Sequence, residues 1–184
     1  MLSALLLREA GQRSLGSGQM SQRLTTAVRI GAAARQILNK TRSFPDIKIG
    51  GIFDLDSDHI GAEPMLLALS MELALKAWFV FDYDDPKIWG HDLVMLFDSL
   101  TEESQQKLDF AFKASIAPVY PSGIHLDYGL RHLLYQYKDA FKYWRYLHQR
   151  KETLRFERSE FEATLEMVLS EFEKRYRTER VVQP

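Results

Sequence analysis

The chain has 184 residues, with 46% hydrophobic and 27% charged side chains and a formal net charge of −1. That is enough apolar matter for one globular core, and too little charge bias for a chain that works as a polyelectrolyte. It holds no cysteine, which excludes disulfides, thiolate catalysis and thiol-ligated metals.

The charge is unevenly placed. Residues 1–42 carry seven bases (Arg8, Arg13, Arg23, Arg29, Arg35, Lys40, Arg42) against Glu9, a balance of +6, and the remainder of the chain stands at −7. Residues 1–18 end in the flexible stretch "SLGSGQ" and read as a frayed or flexible basic segment. The Arg- and Ser-rich, acid-poor head also has the composition of a mitochondrial transit peptide; a bacterial chain whose first helix is basic is the simpler reading. Residues 19–178 form one helical bundle domain in this reading, and 179–184 a tail.

"SQRLTTAVRIGAAARQILNK" (21–40) predicts the first helix, with Leu24, Val28, Ala32, Ile37 and Leu38 on its apolar face. A loop of about twenty residues follows. Within it "IKIGGIF" is a candidate hairpin, and "DLDSDH" opens like a calcium loop. The calcium motif fails, since His59 and Met65 stand where an EF-hand needs its glycine and its last acid. The second helix, "AEPMLLALSMELALKAWFVF" (62–81), has Pro64 in its first turn and is apolar almost all round, as befits the centre of a bundle. Glu72 and Lys76 interrupt it, so no uninterrupted apolar run is long enough to span a membrane. A cytoplasmic protein without membrane contact is expected.

"DYDDPKIWGH" ends that helix. A third begins near His91 or Asp92, with Leu93, Leu96, Phe97 and Leu100 at helical spacing, and a fourth covers "EESQQKLDFAFKASI". A long fifth helix is predicted over 128–154, its stripe running through Leu130, Leu133, Leu134, Tyr137, Phe141, Trp144 and His148. Its other aromatics, Tyr135, Tyr143 and Tyr146, suggest an exposed interface and a homodimer. The last helix is predicted over 159–180, opened by a Ser159–Glu162 capping box. Periodicity therefore points to an all-α, up-and-down bundle of five to six helices.

Chemistry-bearing motifs are sparse. None of the five histidines pairs with another at metal-ligand spacing, there is no glycine-rich phosphate loop and no nucleophile elbow, so neither a metal nor a cofactor is expected. What stands out is a polar set on apolar helices: Glu72, Lys76, His91, Asp92 and Arg145. Charges inside a bundle need partners. The set is either an ion-pair network that fixes helix register or an active or ligand site.

These residues carry a resemblance. "ELALKAWF", then "GHDLVMLFDSL", then "FKYWRYLHQ" resemble a bacterial subgroup of the HEPN superfamily (higher eukaryotes and prokaryotes nucleotide-binding domains), over roughly residues 20 to 178. The resemblance implies a helical bundle, commonly dimeric, and many such proteins are RNA-cleaving toxins or defence effectors. Their site, Arg followed by four to six residues and then His, is absent: no arginine lies five to seven positions before any histidine, and Arg145 stands only three before His148. The expectation is a non-catalytic HEPN-like protein that binds a protein partner, RNA or a nucleotide, in a bacterial defence or toxin–antitoxin setting. His91 and Asp92 then act as a helix-start clasp, with Asp92 at the positive helix end and His91 bridging to Glu72. One alternative is a metal-independent ribonuclease with a rearranged site built on Arg145 and His148, with Lys76 or His91 assisting. Another is an unrelated helical structural or mitochondrial protein.

Overall fold

The structure, a computed structural model, describes residues 24–44, 62–117, 128–145 and 156–182, with the side chains of 144, 145 and 178–182 left aside. The basic segment 1–18, the candidate hairpin, the acidic "DLDSDH" loop and His148 lie outside the described residues. Among the described residues every regular element is a helix and none is a strand, so the fold is all-α. The helices are α1 (24–41), α2 (Ala62–Tyr83), α3 (Leu93–Asp98), α4 (Glu102–Ser115), α5 (Leu130–Gln136), α6 (Ala140–Arg145) and α7 (Arg158–Val182).

α2 is the central helix, in contact with α3, α6 and α7 and, through Ser70 and Ala77, with α1. Leu67, Met71, Leu75, Trp78 and Phe81 are all buried. Trp78 also satisfies its one polar atom, its indole N–H donating to the Val168 carbonyl at 3.2 Å. By length and composition α2 could cross a membrane, with a mean hydropathy of 1.5 in its most apolar window. That departs from the exclusion drawn from Glu72 and Lys76; in the fold both charges are paired and the helix is mostly enclosed by its neighbours. It ends at Asp84, which takes φ +54° and donates its N–H back to Val80, a left-handed stop that aspartate tolerates better than most residues.

α1 buries a different face from the expected one. Ala27, Gly31, Ala34 and Leu38 point inward, whereas Ala32 is exposed and Val28 and Ile37 are half-buried. Small residues win because α1 lies close against its neighbours. The Ser70 hydroxyl donates to the Ala34 carbonyl at 2.7 Å, and a Cβ at Gly31 would stand 2.9 Å from the Phe172 ring and 3.7 Å from Ala77.

α3 and α4 start as expected. Asp92 caps α3 by accepting from Val94 and Met95 N–H at 2.8 and 3.1 Å, and Thr101 caps α4. α5 is capped from another helix. Gly129 has no side chain to offer, and Asp109 of α4 accepts the Leu130 N–H at 2.8 Å in its place; a Cβ at Gly129 would come within 2.5 Å of that carboxylate oxygen.

The long fifth helix is broken in two at Tyr137–Asp139. Tyr137 turns its ring into the core, 5.2 Å from Phe156 and 5.0 Å from Phe161, and its hydroxyl accepts the Glu157 N–H. The break frees the Lys138 carbonyl, which accepts the first N–H of α3 from Leu93 at 3.2 Å. Tertiary contacts thus outweigh a continuous helical pattern. Tyr137 is buried, as its place on the apolar stripe predicts; of the aromatics expected to be exposed, Tyr135 is exposed and Tyr143 is half-buried. The capping box likewise fails. α7 begins one residue earlier, at Arg158, and the Glu162 carboxylate is engaged by Arg42 and Arg158 instead of by the helix start.

Candidate functional site

Two members of the polar set, Lys76 and His91, converge on Glu72. Its side chain is 4% exposed, held between the apolar surfaces of α2 and its neighbours. Lys76, one turn on, meets Oε1 at 2.7 Å, and His91 Nδ1 meets Oε2 at 2.8 Å. An ionised carboxylate only accepts, so Nδ1 carries the proton in this contact. The imidazole is itself held, stacked on Phe141 of α6 at 5.1 Å and 29°, while 59% of its side-chain surface remains in solvent. One histidine therefore ties the segment before α3 to both α2 and α6. Gly90 sets its approach, at φ +104°, a backbone conformation glycine adopts without strain.

Asp92 stays out of the cluster and caps α3. Arg145 lies on α6, which packs against α2, but its side chain, like His148, is outside the described residues. Glu72, Lys76 and His91 are thus brought together, and both Glu72 oxygens are taken. A carboxylate held by two donors is poorly placed to accept a further proton from a substrate.

Sequence reasoning missed a second buried carboxylate. The Asp82 side chain is 0% exposed. It accepts from the Thr101 N–H and hydroxyl at 3.2 and 3.0 Å and from the Ser104 hydroxyl at 2.9 Å, and pairs with Arg175 at 2.9 Å. Arg175 lies over the Trp78 and Phe81 rings and also reaches Ser104. This network joins α2, α4 and α7. The legible signal was position: Leu75, Trp78 and Asp82 stand at i, i+3 and i+7, which puts an acid on the buried stripe of an apolar helix.

Two other polar groupings serve packing. Glu166 of α7 pairs with Arg35 and Arg42 of α1. Desolvation would push its carboxyl up, but the two guanidiniums outweigh that and hold it below the ordinary glutamate range. The Tyr128 hydroxyl donates to Glu160, and burial together with that carboxylate raises the phenol well above its usual value, so it stays neutral.

A groove of ≈ 440 Å³ lies between α4 and α5, lined by Gln105, Asp109, Lys113, Arg131, His132 and Tyr135 among others. Two ion pairs brace it, Lys113–Asp109 at 2.8 Å and a two-pronged Arg131–Asp98 contact at 2.8 Å for each bond. Among the described residues no group of three or more histidines and acids is placed to hold a metal ion.

No family model matches the chain, and neither a curated protein nor a solved structure matches it. The fold class and the site geometry above are therefore what defines it.

Proposed function

We propose that this chain is a non-catalytic, HEPN-like helical protein, cytoplasmic and homodimeric, that acts by binding RNA or a nucleotide. The observation carrying the reading is Glu72: the buried carboxylate at the heart of the resemblance has both oxygens engaged, by Lys76 and His91. It behaves as a clasp between helices, and its two partners are occupied in holding it. Binding then falls to the groove between α4 and α5. There Tyr135 offers an exposed ring for base stacking, and Lys113 and Arg131, paired with Asp109 and Asp98, keep further N–H groups that can reach phosphate oxygens. The absence of the Arg-to-His spacing supports binding over cleavage, and the resemblance itself carries the bacterial defence or toxin–antitoxin setting.

The test is single-stranded RNA titrated with the full chain at two salt concentrations, with chelator present. Binding that weakens as salt rises, weakens further in Arg131→Ala, and leaves the RNA intact is the expected result. Cleavage that disappears in His148→Ala would establish the rearranged ribonuclease instead. RNA and nucleotides that both fail to bind would overturn the reading.

A further inference from the structure

Two carboxylates brace the α4–α5 groove, and each of their oxygens is taken. Asp109 accepts the Leu130 N–H through Oδ1 at 2.8 Å and meets Lys113 through Oδ2 at 2.8 Å. Asp98 takes Arg131 Nε on Oδ1 and Nη2 on Oδ2, each at 2.8 Å. Gln105, half-buried in the same groove, differs. Its Nε2 donates to the Asp98 carbonyl at 3.2 Å and to the Leu100 carbonyl at 2.9 Å. A carbonyl oxygen only accepts, so turning the amide over would set oxygen against oxygen twice. Its N–H groups are thus spent on the end of α3, and Oε1 is left over as an acceptor. Among the described residues that oxygen receives no hydrogen bond.

The same contacts fix where the oxygen stands. Gln105 rests on the Asp98 backbone, the Asp98 side chain holds Arg131, and Arg131 is one turn before Tyr135 on α5. A base stacked on the exposed Tyr135 ring, with its phosphate toward Arg131, lies in the groove that Gln105 lines. The edge of that base then meets an acceptor. Cytosine and adenine carry an amino group on their pairing edge, where uracil and hypoxanthine carry a carbonyl oxygen. The amino group can donate to Oε1. The carbonyl sets two acceptors face to face and leaves both unpaired once water is displaced.

We infer that Gln105 makes the α4–α5 groove selective for single-stranded RNA whose bases carry an amino group on the pairing edge, cytosine over uracil and adenine over hypoxanthine. This deepens the RNA-binding reading and rests on it. The measurement is fluorescence anisotropy of the full chain with labelled oligocytidylate, oligouridylate, oligoadenylate and oligoinosinate of equal length. Each amino-bearing oligomer should bind about fivefold more tightly than its carbonyl counterpart, the worth of one hydrogen bond. Gln105→Met removes the acceptor and should bring both ratios to near one. Gln105→Lys also removes it but keeps N–H groups for the Asp98 and Leu100 carbonyls, so the end of α3 stays tied. Both ratios should fall to near one there too, whatever the added charge does to overall affinity. Ratios near one in the wild type, or ratios that survive in either variant, overturn the inference and leave the RNA reading standing. Failure of every oligomer to bind overturns the RNA reading and the inference together.

Discussion

A carboxylate taken out of water must find donors or give up its charge. Glu72 finds two, and they differ: Lys76 belongs to its own helix, whereas His91 comes from the far side of a chain break. Removing Glu72 therefore strands a half-buried lysine and unties His91. Glu72→Ala should cost on the order of 3 kcal/mol, read as a shift in urea midpoint at constant slope. His91→Ala should cost less, about 1 kcal/mol, because most of its ring is already in solvent and Lys76 still holds Glu72. Gly90 offers a cleaner probe. A Cβ there would meet nothing within 4 Å, so Gly90→Ala adds only backbone strain, worth roughly 1 to 2 kcal/mol. Unchanged stability in that variant would mean the turn is not held at positive φ.

At the scale of elements, α1 shows how a helix can be recognised and its buried face still misread. Periodicity places Leu24, Val28, Ala32, Ile37 and Leu38 on the core side, but close approach to α2 and Phe172 selects Ala27, Gly31 and Ala34 beside Leu38. Gly31→Leu should overpack against Phe172 and cost about 1 to 3 kcal/mol, whereas Ala32→Leu, on the exposed side, should be near neutral. The reverse order would restore the expected face. α2, α3 and α4 were legible because caps, proline placement and apolar spacing agree there, and α7 by its apolar spacing alone. The break between α5 and α6 was not, because its causes are distant: the Phe156 and Phe161 rings that take Tyr137, and the Leu93 N–H that takes the Lys138 carbonyl. Within the candidate site the Glu72–Lys76–His91 grouping could be read from charges on apolar helices. Asp82 could have been found by the same logic, but its partners Thr101, Ser104 and Arg175 lie on elements whose positions only the fold reveals. The α1–α7 pairing also sets an acid limit. Glu166 titrates below the ordinary value of 4.5, so its contribution is fully present above that pH and is lost as pH falls through the lowered value. Glu166→Gln should flatten the fall in melting temperature below about pH 4.5. An identical acid slope in the variant would show that the pair contributes nothing.

For the molecule as a whole, two buried carboxylates divide the work of assembly. Glu72 holds His91, which stands just before α3 and stacks on Phe141 of α6, and Asp82 ties α2 to Thr101 and Ser104 at the start of α4 and to Arg175 of α7. With these interior charges committed to holding helices, the proposed function draws on the α4–α5 groove. The central claim is that the conspicuous polar cluster is a clasp, and a double-mutant cycle on Glu72 and His91 tests it most directly. Urea denaturation of the wild type, Glu72→Ala, His91→Ala and the double variant should give a coupling of about 1 kcal/mol, with RNA affinity unchanged in His91→Ala. Coupling near zero, or a His91→Ala variant that keeps its stability and loses its action on RNA, would contradict the account.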